Sequence, residues 1–225
     1  MVLPEEVSQK GVTMNRSDLL ARAVGALKAM LCVMVLASCG GSGMQIVYLQ
    51  FRPTGEYATG RSITVGVAPF QDVRPAPQII GKRFRVDGNP ETIMLGSPTT
   101  GKDLTLMVVR YLEARGMKVV DLPFWKPEPE TLRDLPRDVK MAVTGRIKAL
   151  EVQADSTLFR TTVRYRVRLS AFLGNVDKGE VLSRSIEISP QKTSLQFDVR
   201  EVEEQLNQAI LEALGKLFEG AIPPA

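Results

Sequence analysis

Histidine is missing from all 225 residues. That excludes Ser–His–Asp triads, imidazole general bases and every zinc site built on imidazole. Cysteine is nearly missing: Cys32 and Cys39 are the only two. They stand close together beside an apolar run, which suits neither a disulfide framework nor metal-ligand spacing. Long hydrophobic runs are missing as well. The strongest, "AMLCVMVLA" at 29–37, has nine residues, whereas a membrane-spanning helix needs about 20. A large excess of one charge is also absent, since the formal net charge is +4. With 44% hydrophobic and 24% charged residues, the composition is that of a globular protein.

The apolar run is placed like the core of a secretory signal. Arg16, Arg22 and Lys28 precede it as the positive region, and small residues follow it. Met14 suits the true start of such a signal, because the preceding residues add acidic groups. A plainer alternative is a buried core helix beginning at Asp18. The run ends in Leu36-Ala37-Ser38-Cys39-Gly40, which resembles a bacterial lipobox. This predicts a signal peptide over 1–38, removed so that an acylated Cys39 becomes the first residue. Acyl chains contribute about 0.8 kcal/mol per buried methylene and anchor a protein without any transmembrane helix. Gly40, rather than Asp, resembles the type directed to the outer membrane, with the domain facing the periplasm. Residues 39–60 then comprise the lipidated cysteine and a flexible tether opening on Gly-Gly-Ser-Gly. No cofactor is expected beyond the covalent lipid on Cys39.

Beyond the tether, alternation and β-branched residues predict strands at 61–70, around "IIGKRFRV", at "MKVVD", and at 139–152, 159–173 and "GEVLSRSIEIS". Leu104, Val108, Tyr111 and Leu112 fall at helical spacing, and Gly116 is a natural stop. Val199 to Leu217 keeps a 3.6-residue period, with Glu201, Glu203 and Glu204 near its positive end. The proline-rich stretch 122–136 reads as a loop with one helical turn near Leu132. The expected fold is α+β over 61–220. It has a single mixed or antiparallel sheet of about five strands, two helices on one face, and the order β-α-β-β-β-β-α.

Four patterns could carry chemistry. Gly96-Ser-Pro-Thr-Thr-Gly101-Lys102-Asp103 has the phosphate-loop spacing, but Asp103 replaces the magnesium-binding hydroxyl and Pro98 removes a backbone donor. Thr100 and Asp103 read instead as a capping box, and no nucleotide is expected. Arg160, Arg164, Arg166 and Arg168 share one face of a strand, with Arg146 and Lys148 on the neighbouring strand. This face could dock an anionic lipid, a glycan or an acidic protein. It could equally be a solvated face balanced by Glu180 and Glu187. Nucleic acid is not expected at so small a net charge. Asp72 and Arg74 suit a braced loop or a surface read by a partner. Phe124 and Trp125 in the proline-rich loop either cap the core or form a partner hot spot.

Taken together, the lipobox, "VAPFQDVR" with "IIG" after it, "YLEARGMKVV", "VTGRIKALEV", "TVRYRVRLSAF" and "LNQAILEALGKLF" resemble the YajG-type bacterial lipoproteins. Their domain is similar to the α/β amino-terminal domain of TolB. The resemblance spans residues 60–218 and brings no catalytic signature and no site residues. It implies a non-enzymatic, membrane-anchored module that binds or scaffolds an envelope protein. The segment "IVYLQFRP" resembles lipoproteins accessory to lipid-transport ABC systems, which implies the alternative of an amphiphile-binding transport accessory.

Overall fold

The computed structural model describes residues 43–51 and 63–221. The signal segment, Cys39 and the start of the tether lie outside the described residues. The described chain has ten strands: β1 (Met44–Val47), β2 (Thr64–Val67), β3 (Gln71–Asp72), β4 (Ile79–Phe84), β5 (Pro90–Leu95), β6 (Lys118–Asp121), β7 (Met141–Ser156), β8 (Thr161–Asn175), β9 (Glu180–Ile188) and β10 (Gln191–Ser194). Helix α1 (Thr100–Glu113) precedes β6, a short 3-10 helix (Pro129–Asp134) precedes β7, and α2 (Val199–Phe218) closes the domain.

All ten strands form one curled, mixed sheet. This overturns the expected sheet of about five strands and the order β-α-β-β-β-β-α. The added strands have a common physical reason. β1, β3 and β10 are four residues or fewer, and β5 opens on a proline. Short or polar segments like these become strands through the edges they pair with, not through their own propensity. β1 also lies inside the segment 39–60 expected to be anchor and tether.

The long β7–β8 hairpin organises the sheet. β8 runs antiparallel along one edge of β7 over its whole length. The other edge of β7 accepts β2, β3 and β4 in turn, all parallel. Lys148 has no partner in the ladder, and the register shifts there. This bulge exchanges the two faces of β7. Val143 and Ile147 point inward before it, and Leu150, Val152 and Ala154 after it.

Both long helices share the main core. Leu104, Val108 and Leu112 of α1 and Leu206, Ile210 and Leu214 of α2 are fully buried with Val167 and Leu169 of β8. Each such side chain contributes about 1.5–3 kcal/mol by leaving water. A second, smaller cluster of Ala68, Leu122, Trp125, Leu132 and Ala142 places the proline-rich segment over the opposite face, near the start of β7. The expected Thr100–Asp103 capping box does not form. The N-cap is Thr99, without a side-chain bond, and Thr100 is buried inside the first turn. Gly101 packs against the Phe70 carbonyl, where an added Cβ would lie 2.4 Å from the oxygen. The phosphate-loop spacing therefore serves helix–strand packing.

Candidate functional site: a cationic groove on the outer sheet face

Beyond the bulge, the face of the sheet away from the helices is open to solvent. There β4 lies beside β7 and β7 beside β8, so Lys82, Gln153 and Arg164 fall in one row. Phe84 and Asp155 fall in the next row. A groove of about 380 Å³ runs across these strands, lined by Ile80, Lys82, Phe84, Glu151, Arg164 and Arg166 among others. Its floor is close-packed backbone. Its lining combines apolar Ile80, Val152 and Phe84 with Lys82, Arg164 and Arg166 and the Glu151 carboxylate.

Three of the arginines are paired. Arg164 Nη1 lies 2.6 Å from Asp155 Oδ2. Arg166 Nε donates to Glu187 Oε1 at 2.8 Å, and Arg168 Nε donates to Oε2 of the same carboxylate at 2.6 Å. Glu151 adds a longer contact to Arg166 at 3.6 Å. Glu187 is held below the usual carboxylate range, chiefly by the hydrogen bonds from Arg168 and Arg166. The Arg166 guanidinium is raised in turn, first by its bond to Glu187. Arg146, Lys148, Arg160 and Lys82 have no carboxylate partner among the described residues. Arg146 instead lies over the Phe172 ring at 5.6 Å. Of the two carboxylates expected to balance the face, Glu187 does so and Glu180 forms no ion pair among the described residues.

Asp72 and Arg74 meet in a buried bidentate pair, with Nη2–Oδ2 at 2.6 Å and Nε–Oδ1 at 2.9 Å. Arg74 also donates to the carbonyls of Pro77 and Leu150. Its donors are spent inside, so the pair ties the loop after β3 to β7 beyond the bulge. Phe124 and Trp125 separate. Trp125 is buried, with Nε1 donating to Thr131 Oγ1 at 3.0 Å, while Phe124 is exposed.

The sequence reading missed two groove residues. Lys82 and Phe84 enter the groove from β4; the alternation in "KRFRV" was their only signal. Outside the groove, Glu91 near the start of β5 is buried. It accepts from Arg83 at 3.0 Å, Gln45 at 3.3 Å and Arg85 at 3.4 Å, while Arg83 stacks on Phe197 at 4.3 Å. Nearby, burial pushes the Tyr165 phenol up, and Glu201 adds to that shift. Among the described residues no cluster of His, Cys, Asp and Glu could hold a metal ion, and no helix is long and apolar enough to cross a membrane.

Fold and groove together define a helix-backed, mixed-sheet domain with a cationic outer face. No family model and no curated protein matches the chain, so the YajG resemblance has no match at the level of a family. Solved structures are similar to it. Protein XCC0632 from Xanthomonas campestris, of the family model DUF330, is 16% identical, with 76% of this chain and 91% of that chain covered and a TM-score of 0.48. Lipoprotein GNA1162 from Neisseria meningitidis is 11% identical, covering 68% and 98%, with a TM-score of 0.34. The PelC dodecamer from Paraburkholderia phytofirmans is 13% identical, covering 73% and 91%, with a TM-score of 0.35. At these scores the likeness concerns the arrangement of elements and carries nothing about activity.

Proposed function

We propose that this chain is a lipid-anchored module of the bacterial cell envelope. In this reading it faces the periplasm from the outer membrane and binds or scaffolds an envelope protein without catalysing a reaction, as the YajG resemblance implies. The observation that carries the reading is the lipobox cysteine together with the start of the folded sheet. β1 begins at Met44, five positions after Cys39, so acylation would hold the domain directly against a membrane. The covalent lipid is the only non-protein group in this reading. The test is incorporation of labelled palmitate in the parent chain and in Cys39→Ser. Label is expected in the parent and lost in the variant; equal labelling overturns the anchor.

A second reading is favoured by the groove. A slot with an aromatic wall and with Lys82, which has no carboxylate partner among the described residues, beside Arg164 and Arg166 suits an anionic amphiphile, with acyl chain along Phe84 and Ile80 and headgroup at the cations. That is the chemistry of an accessory lipoprotein for lipid or lipopolysaccharide transport.

A further inference from the structure

One end of the sheet carries side chains that a soluble surface rarely gathers. The tip of the β7–β8 hairpin exposes Leu158 and Phe159 at 76% and 83%, and Leu195, just past β10, is 86% exposed. Strand pairing puts these beside one another. Ser194 pairs with Thr161, so Leu195 lies level with the hairpin turn, which the Thr157–Arg160 backbone bond closes at 2.8 Å. Phe84 pairs with Asp155, so the exposed Phe84 and Val86 project at the same end. Met44, also exposed, pairs with Thr92 near the start of β5. Apolar residues scattered singly need no explanation, but six gathered at one end mark a contact surface.

The chain enters the domain at this same end. Gly43 lies against Glu91, where a Cβ would come 2.8 Å from its carboxylate oxygen. Cys39 is four residues earlier, and four extended residues reach at most about 14 Å. Charge at this end is mixed: Lys82, Arg160 and the exposed Arg200 stand beside the Arg164–Asp155, Arg83–Glu91 and Arg85–Asp87 ion pairs and the acidic start of α2, where Asp198 accepts from Arg200 N.

We infer that this end of the sheet docks onto the anionic phospholipid leaflet that holds the acyl chains of Cys39, with Leu158, Phe159 and Leu195 entering the interface. The inference rests on the lipid-anchor reading and goes beyond it. The anchor alone leaves the domain free to turn on its tether, whereas docking sets one orientation. Apolar side chains at such an interface bury roughly 5–10 Å into the headgroup boundary, and the arginine and lysine heads suit the phosphates above them. The outer-face groove, whose wall includes Phe84, would then open beside the leaflet.

The experiment places single indoles at the two ends of the domain. F159W and L195W probe the proposed docking end. F124W probes the exposed Phe124 beside Trp125, which packs against Gly174 at the far end of β8, roughly 40 Å along the strand at the usual rise. Each full-length acylated protein is reconstituted into vesicles of phosphatidylethanolamine and phosphatidylglycerol with brominated acyl chains. The wild type supplies the emission of the buried Trp125 as background. Loss of emission is expected for F159W and L195W and not for F124W. Equal loss at both ends, or none at either, in palmitate-labelled protein overturns docking and leaves the anchor standing. Absence of label overturns the anchor, and docking with it. All three sites are exposed, and an unchanged far-ultraviolet circular dichroism spectrum confirms the fold, so L195W answers the question if F159W disturbs the hairpin.

Discussion

Gly81 and Val152 touch backbone to backbone: a Cβ on Gly81 would lie 1.6 Å from the Val152 carbonyl oxygen. This contact lets β4 join β7 after the bulge and so creates the floor of the groove. Gly81→Ala should therefore destabilise the domain by about 3 kcal/mol, at the upper end for overpacking. Urea titration measures it. A change below about 0.5 kcal/mol, the level of a neutral surface substitution, would show that the strands separate freely.

Glu187 sits between Arg166 and Arg168, and its pKa is lowered by their hydrogen bonds. A carboxylate lowered on folding adds stability that is fully present above its unfolded pKa. That stability is lost as pH falls through the folded value. Because Glu187 is exposed, salt screens the effect. The melting temperature of Glu187→Gln should lie below that of the parent at pH 7, and the gap should close in the acid range below about 4. Parallel melting curves from pH 7 to pH 3 would show that this carboxylate contributes nothing.

The Asp72–Arg74 pair is buried, with side-chain exposures of 10% and 5%. Removing one partner leaves the other charge without compensation. Asp72→Ala should cost about 3–5 kcal/mol, and the double replacement with Arg74→Met less than the sum of the two singles. Additive losses in a double-mutant cycle would mean that the residues act separately. In that case the loop is braced by the Arg74 contacts to the Pro77 and Leu150 carbonyls instead.

Lys82→Glu with Arg164→Glu places two negative charges where the headgroup of an anionic amphiphile would lie. Binding of a fluorescent short-chain phosphatidylglycerol should weaken roughly tenfold or more, equivalent to about 1.4 kcal/mol, with the main-core residues untouched. Unchanged affinity would leave the outer face as a solvated, ion-paired surface.

Both long helices could be read from the chain because their hydrogen bonds and their burial period are local. Leu104, Val108 and Leu112, and then Leu206, Ile210 and Leu214, announce their faces at 3.6-residue spacing. The alternation along β8 could be read for the same reason: Val163, Tyr165, Val167 and Leu169 face inward in strict sequence. The expectation of a lipidated Cys39 also belongs to the sequence alone. What tertiary structure decided is everything that depends on which strands meet. The bulge at Lys148 leaves no mark in composition, yet it re-aims half of β7. Glu187 bridges two arginines only because β9 pairs with β8. Phe124 and Trp125 are neighbours that part only when one finds the cluster beneath the proline-rich segment. Strand pairing is satisfied by distant residues, and so only the folded sheet could bring Gly43, Phe84, Phe159 and Leu195 to one end of the molecule.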